Sequence, residues 1–198
     1  MPSDASTNRI GGLEALVRAQ ADNEPAPVEQ WDPPYCGDIG LRIRADGTWL
    51  YRDSPIARPA LVKLFAGVLR KDADGRHYLV TPVEKIDVAV DDAPFLAVEM
   101  EVRGSGASQT LIFRTNVDDI VAAGPAHPLR FAIERETGGL KPYLLVRGRL
   151  EALATRALAY DMAGLAAEEE GGPGLWSGGR LFAIPEAPPA DTASRSRL

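Results

Sequence analysis

The stretch that decides the fold runs from Asp46 to Lys71, DGTWLYRDSPIARPALVKLFAGVLRK. Asp46-Gly47 lies between two apolar alternations, Leu41 and Ile43 before it, Trp49 and Tyr51 after it. An Asp-Gly pair so placed predicts a two-residue hairpin turn with both central residues at positive φ. Arg42 and Arg44 alternate with the apolar residues of the incoming strand and share its polar face. Ser54-Pro55 predicts a second turn. Pro59 suits the first position of a helix and biases Arg58 before it away from helical space. Leu61, Leu64, Phe65, Val68 and Leu69 recur at i, i+3, i+4, i+7 and i+8, one apolar stripe facing a core.

The opening of this helix runs against helix electrostatics. Helix starts favour Ser, Thr, Asp or Asn as the cap and carboxylates in the first turn. Here Arg58 holds the cap position, the first turn carries no acid, and Lys63 follows. Unsatisfied backbone N–H groups with a cation beside them suit a phosphate or a carboxylate. The competing reading is that Asp53 folds back onto Arg58, or that water serves the N–H groups.

Composition bounds the function. A chain of 198 residues can form one or two small domains with a real core. Its net charge of −6 disfavours non-specific nucleic-acid binding and anionic membrane surfaces, both of which need a basic face. The single cysteine, Cys36, excludes an internal disulfide and fits a reducing compartment. No apolar run reaches the length of a membrane span, and Glu14 and Arg18 interrupt any signal-peptide core. The expected location is cytoplasmic.

Residues 1–30 read as an N-terminal segment with a short amphipathic helix over Gly12–Ala21, followed by a proline-rich run that Trp31 anchors. Beyond the Pro59 helix, strands are expected at Tyr78–Val80, Ile86–Val90, Leu96–Val102 and Leu111–Arg114, separated by charged or Gly-rich turns. Thr115-Asn116 followed by Asp118 and Asp119 predicts a one- or two-turn helix to about Ala123. A hairpin at Leu129–Ile133 and Tyr143–Arg147, a helix over Arg156–Ala166 behind Thr155, a loop over Glu168–Gly174 and a strand at Leu181–Ile184 complete the chain. Residues 187–198 predict a disordered tail.

Two parts of this order resemble each other. Leu41–Ile43, Trp49–Tyr51, Arg58, helix and Leu79–Pro82 match Leu129–Phe131, Tyr143–Leu145, Arg156, helix and Phe182–Pro185. The reading is an α+β fold of two tandem, similar hairpin-helix-strand units, 31–94 and 95–186, with mainly antiparallel curved sheets. Convergence of ordinary hairpin-helix units is the alternative to duplication. Two such units would make the cleft between them the natural ligand site.

The runs WDPPYCGDIGLRI, DGTWLYRDSPIARPALVKLF, YLVTPVEKI, DDAPF, HPLRF and PYLLVRG, with the Thr115-Asn116 and Val117-Asp118-Asp119 segment, resemble the proteobacterial family called domain of unknown function 1285. The resemblance covers about Trp31 to Pro185. It implies a duplicated α+β core whose C-terminal unit is similar to pleckstrin-homology folds, a nucleotide-like ligand between the units, and a role in signalling. The family has no established activity. This chain departs from the pattern at Arg52-Asp53, where a smaller or glycine-containing turn is expected.

No catalytic residue, metal ligand or cofactor is assigned. Cys36 has only carboxylates as charged neighbours, Asp32 and Asp38, which oppose thiolate formation, so a small buried hydrophobe is the expectation. His77 and His127 stand in no nucleophile signature, and no HExxH, CxxC, calcium-loop or phosphate-loop spacing occurs. Trp49 could stack on a base, but its alternation with Leu41 and Ile43 favours the core. Arg42, Arg58, Arg130, Arg147 and Arg156 sit on strands or at helix starts, where a rigid guanidinium fork suits phosphate. With Trp49, Lys63 and Asn116 they form the candidate ligand-binding set. The expected function is binding of a small anionic molecule, such as a nucleotide, with a signalling role toward a protein partner or a second copy. The alternatives are a metal-assisted phosphoester hydrolase and a purely structural interaction module.

Overall fold

The computed structural model describes residues 26–185, so the Gly12–Ala21 helix and the 187–198 tail lie outside the described residues. The order is β1 (Tyr35–Ile43), β2 (Trp49–Tyr51), β3 (Ser54–Pro55), α1 (Pro59–Gly67), β4 (Leu69–Lys71), β5 (His77–Val80) and β6 (Lys85–Val90). There follow β7 (Phe95–Arg103), β8 (Thr110–Thr115), β9 (Ile120–Ala122), β10 (Leu129–Ile133), β11 (Leu140–Arg147) and β12 (Leu150–Ala154). Then come α2 (Arg156–Gly164), β13 (Ala167–Glu169), β14 (Gly172–Ser177) and β15 (Arg180–Ala183). The sheet orders are β3-β2-β1-β6-β5-β4, β10-β11-β12-β7-β8-β9 and β13-β14-β15. The fold is mixed α/β with few helices and two similar tandem domains.

The chain separates into two compact units that are not contiguous in sequence. The first takes the residues up to Leu96 with Thr115–Asp119 and Leu145–Ala152; the second takes Ala97–Arg114, Ile120–Leu144 and the residues from Leu153. The likeness between the halves is a meander, a nine-residue helix and a second meander. In the first half, β1-β2-β3 precede α1 and β4-β5-β6 follow it, with β1 and β6 paired in parallel. In the second half, β10-β11-β12 precede α2 and β13-β14-β15 follow it, with β10 and β15 lying against each other but in separate sheets. By this order the counterpart of β15 is β6, not β5, and β7-β8-β9 have no counterpart.

The first hairpin forms where its sequence predicts, pairing Leu41 with Tyr51 and Ile43 with Trp49, but its turn differs. Only Gly47 takes positive φ, at 80°, so Asp46 does not contribute to a two-residue turn. Arg44 N–H donates to Thr48 O at 2.9 Å and Gly47 N–H to Arg44 O, which makes a three-residue loop. The Asp46 carboxylate stabilises it by accepting from Thr48 N–H at 2.9 Å. A Cβ on Gly47 would lie 2.9 Å from Asn116 Nδ2 and 3.0 Å from Leu96 Cδ1, so a side chain there is strained by the backbone and must push those two side-chain ends aside.

Ser54-Pro55 is a strand and not a turn. The tight turn is Arg52-Asp53, with φ of 47° and 64°, between Tyr51 and its partner Ser54. Two positive φ values in a two-residue hairpin loop call for Asn-Gly chemistry, which explains why a glycine-containing turn is expected here. Arg52→Asn combined with Asp53→Gly should therefore stabilise the fold by about 1 kcal/mol, since neither residue then opposes the left-handed region. Thermal unfolding would show this as a melting temperature raised by about 2–4 °C; a lowered one would mean that Arg52, stacked 5.2 Å above the Tyr51 ring, contributes more than its backbone costs.

Helix α1 begins at Pro59 as expected but ends at Gly67, so Val68 and Leu69 reach the core from the turn and from β4 and not from a longer helix. The helix predicted after Thr115 does not form. Thr115 Oγ1 accepts from Val117 N–H (3.3 Å) and Asp119 N–H (3.0 Å), Asp118 takes φ 69°, and the chain turns into β9. Short polar side chains bond nearby N–H groups in turns as readily as at helix starts, so the same residues serve both. The expected loop over Glu168–Gly174 contains β13 and the start of β14. β12 also escapes the periodicity, because its Leu-Glu-Ala-Leu-Ala run is poor in β-branched residues. In the second unit, Ser177 Oγ donates to Ala123 O at 2.8 Å and accepts from Leu111 N–H at 2.9 Å, fastening β14 to the meander of β7, β8 and β9.

Candidate functional site

The α1 start keeps its unusual electrostatics. Arg58 is the cap residue in extended conformation, no side chain caps the helix, and the first turn holds no acid. Asp53 does not fold back: the exposed Arg58 guanidinium makes no ion pair or hydrogen bond among the described residues. The supply of N–H groups is smaller than a generic helix start offers. Pro59 has none, and Leu61 and Val62 donate to the Arg58 carbonyl at 3.0 and 3.2 Å, leaving Ala60 N–H.

Three other candidates converge on the Thr115–Asp119 turn of the same unit. Lys63, on α1, pairs with Asp118. Asn116 Oδ1 accepts from Leu96 N–H at 3.0 Å while Asn116 N–H donates to Leu96 O at 2.9 Å. Arg147 donates to Asp119 at 2.6 Å and to Ala66 O at 2.5 Å, with its guanidinium 5.0 Å from the Phe95 ring centre. Ala66 is in the last turn of α1, so Arg147 caps the negative end of that helix. Each cation is matched by an aspartate of one turn, and the cluster anchors α1.

The remaining candidates are dispersed. Arg42 pairs with Asp91 at 2.7 Å on an exposed face. Trp49 is 1% exposed and packs on Phe65 with ring centres 6.0 Å apart, so it is a core residue and not a stacking platform. Arg130 stacks on Tyr143 at 3.9 Å in the second unit. Arg156 donates to the Tyr160 hydroxyl at 3.3 Å, and Thr155, not Arg156, caps α2 through Leu158 N–H. Cys36 is exposed, contrary to the expectation of burial, because it lies at the outer end of β1 beside Gly37. Among the described residues no group of three or more His, Cys, Asp and Glu side chains could hold a metal ion.

A groove of about 360 Å³ in the first unit gathers residues that the sequence reading left apart, among them Asp38, Arg76, His77 and Asp87. β5 and β6 pair antiparallel with His77 opposite Val88, and β1 and β6 pair parallel with Asp38 opposite Asp87, which brings the four together. Asp87 accepts from the Tyr35 hydroxyl and from Arg76 at 2.5 Å. The bond to Asp87 holds the Tyr35 hydroxyl above its usual pKa. Burial, with Lys71 assisting, pushes His77 down to about 4, so its ring is neutral at pH 7, and its buried Nε2 has no partner. Next to the groove, Tyr78 donates to Asp74 at 2.6 Å, which raises its hydroxyl to about 12. Hairpin register was the signal available for this cluster; parallel pairing of β1 with β6 leaves no local trace in sequence.

Residues 26–93 match the model of the N-terminal domain of the domain of unknown function DUF1285, and residues 94–184 match that of its C-terminal domain. The chain is similar to the crystal structure of a DUF1285 family protein from Silicibacter pomeroyi DSS-3, with 49% identity and a TM-score of 0.80 over 86% of this chain and 93% of that one. It is also similar to a DUF1285 family protein from Shewanella baltica OS155, with 28% identity and a TM-score of 0.50 over 64% of this chain and 91% of that one. No functionally curated protein matches the chain.

Proposed function

We propose, starting from a chain that belongs to the DUF1285 family, that the protein binds a small anionic molecule of the nucleotide kind and relays its presence to a protein partner or a second copy. What supports the reading is Arg58. The other candidate arginines are each engaged with a carboxylate or an aromatic ring, whereas this one stands without an ion pair at the positive end of α1. The net charge of −6 speaks against nucleic acid or an anionic membrane as the target, and the proposed location is the cytoplasm. Among the described residues no helix is long and apolar enough to cross a membrane. The same reading takes 31–94 and 95–186 as the two domains and likens the second to a pleckstrin-homology fold, on the strength of a six-stranded sheet followed by α2.

The test is a thermal-shift screen with nucleoside mono-, di- and triphosphates and inorganic phosphate. A ligand at 100 times its dissociation constant stabilises by about 2.7 kcal/mol, which is about 5–11 °C for a chain of this length. Arg58→Ala should abolish that shift and leave the unliganded melting temperature within about 1 °C, because an exposed, unpaired arginine contributes little to stability. A variant that melts much lower yet keeps the shift would make Arg58 structural and end the reading.

A further inference from the structure

We infer that the groove lined by Asp38, Arg76, His77, Asp87, Val88 and Val90 binds a free α-amino acid, its ammonium on Asp38 and its carboxylate on Arg76. This site is independent of Arg58, which does not line the groove.

The argument begins with the charges left over. Asp87 already has a partner on each oxygen, Tyr35 on one and Arg76 on the other, and its side chain is only 13% exposed. Asp38 is exposed and spends one oxygen on Gly40 N–H at 2.7 Å; its other oxygen has no partner among the described residues. Arg76 gives one nitrogen to Asp87, and its side chain is 58% exposed. A guanidinium carries five N–H donors, so donors remain for a carboxylate. With His77 neutral, one unspent acceptor anion and one cation with donors to spare face the same space. A purely anionic ligand would meet Asp38, and a purely cationic one would leave Arg76 unused.

The backbone supports a built site. The β1–β6 ladder shifts register twice, between Tyr35 and Asp38 and between Asp38 and Leu41. Gly37 and Gly40 take φ of 87° and 86° on either side of Asp38. Register shifts of this kind re-aim one side chain of a strand, here the aspartate that lines the groove. Ala89 and Val90 add apolar surface from β6, whereas Val88, 4% exposed, belongs to the core and the unpartnered His77 Nε2 is closed to solvent. A volume of about 360 Å³ admits an amino acid.

The test is a ¹H–¹⁵N NMR titration of the full chain with each of the twenty standard amino acids, with n-propylamine and propionate as single-charge controls. At least one amino acid should shift the amides of residues 37–40 and 75–77, with each control bound at least tenfold more weakly. Asp38→Asn should weaken that binding at least tenfold; it keeps an oxygen acceptor for Gly40 N–H and so preserves the local backbone. Arg58→Ala should leave it unchanged, which separates failure here from failure of the nucleotide reading. Silence from all twenty amino acids, equal binding of n-propylamine, or undiminished binding by Asp38→Asn would each overturn the proposal.

Discussion

Trp49→Ala is expected to lose about 3–5 kcal/mol of stability, the usual cost of removing a large aromatic from a closed core. At 1% exposure and against Phe65, Trp49 has no room to serve a ligand without opening that core. For a chain of this length the loss corresponds to a melting temperature lowered by at least about 6 °C. Trp49→Phe should cost about 1–2 kcal/mol, because the indole Nε1 has no hydrogen bond to lose. Differential scanning calorimetry of both variants decides the matter. If Trp49→Ala melted like the parent chain and lost a nucleotide-induced shift, Trp49 would be a stacking platform after all.

Arg70→Met should cost about 3 kcal/mol, since it removes one partner of a nearly buried ion pair. Arg70 is 8% exposed; it donates to Val28 O and Trp31 O at 2.7 Å each and to Asp72 at 2.5 Å. Asp72 also accepts from Lys85 at 2.8 Å. Burial pushes the Asp72 carboxyl up, but the bonds from Arg70 and Lys85 outweigh it and hold the group below its ordinary value of 3.8. A carboxyl with a depressed folded pKa contributes stability above its unfolded pKa and loses it as pH falls through the folded value. The gap between parent and variant should therefore be full at pH 7 and shrink as pH falls below about 3.8, where Asp72 of the unfolded chain takes up a proton. Urea unfolding at pH 7 and pH 3 measures both values. A gap that is the same at the two pH values would show that Arg70 acts through the Val28 and Trp31 carbonyls alone.

Arg70 was absent from the candidate set because the carbonyls that bury it, Val28 O and Trp31 O, are about 40 residues away in the sequence. The segment before β1, with its 3-10 turn at Val28–Gln30, supplies both carbonyls. Arg147 teaches the converse. Its place on a strand is readable from the alternation around Tyr143, but its task, closing the last turn of α1 through Ala66, joins positions 81 apart. The Thr115-Asn116 segment failed in a third way: the acceptors were correctly identified and their use was not, since turns and helix starts share them.

What the sequence alone determined is the local order of this protein: the position of the first hairpin, the start of α1 at Pro59 with an arginine where an acid belongs, the α2 cap at Thr155, and the likeness of the two halves. Alternation, proline geometry and capping act over a few residues, and a few residues are enough to read them. Only the tertiary structure decided which charges neutralise one another and which remain. Lys63 and Arg147 meet the aspartates of one turn, while Asp38 and Arg76 come to a common groove through the parallel pairing of β1 with β6. Coulombic partnership depends on distance through space, and strands brought together by long connections carry no record of that distance in their own residues.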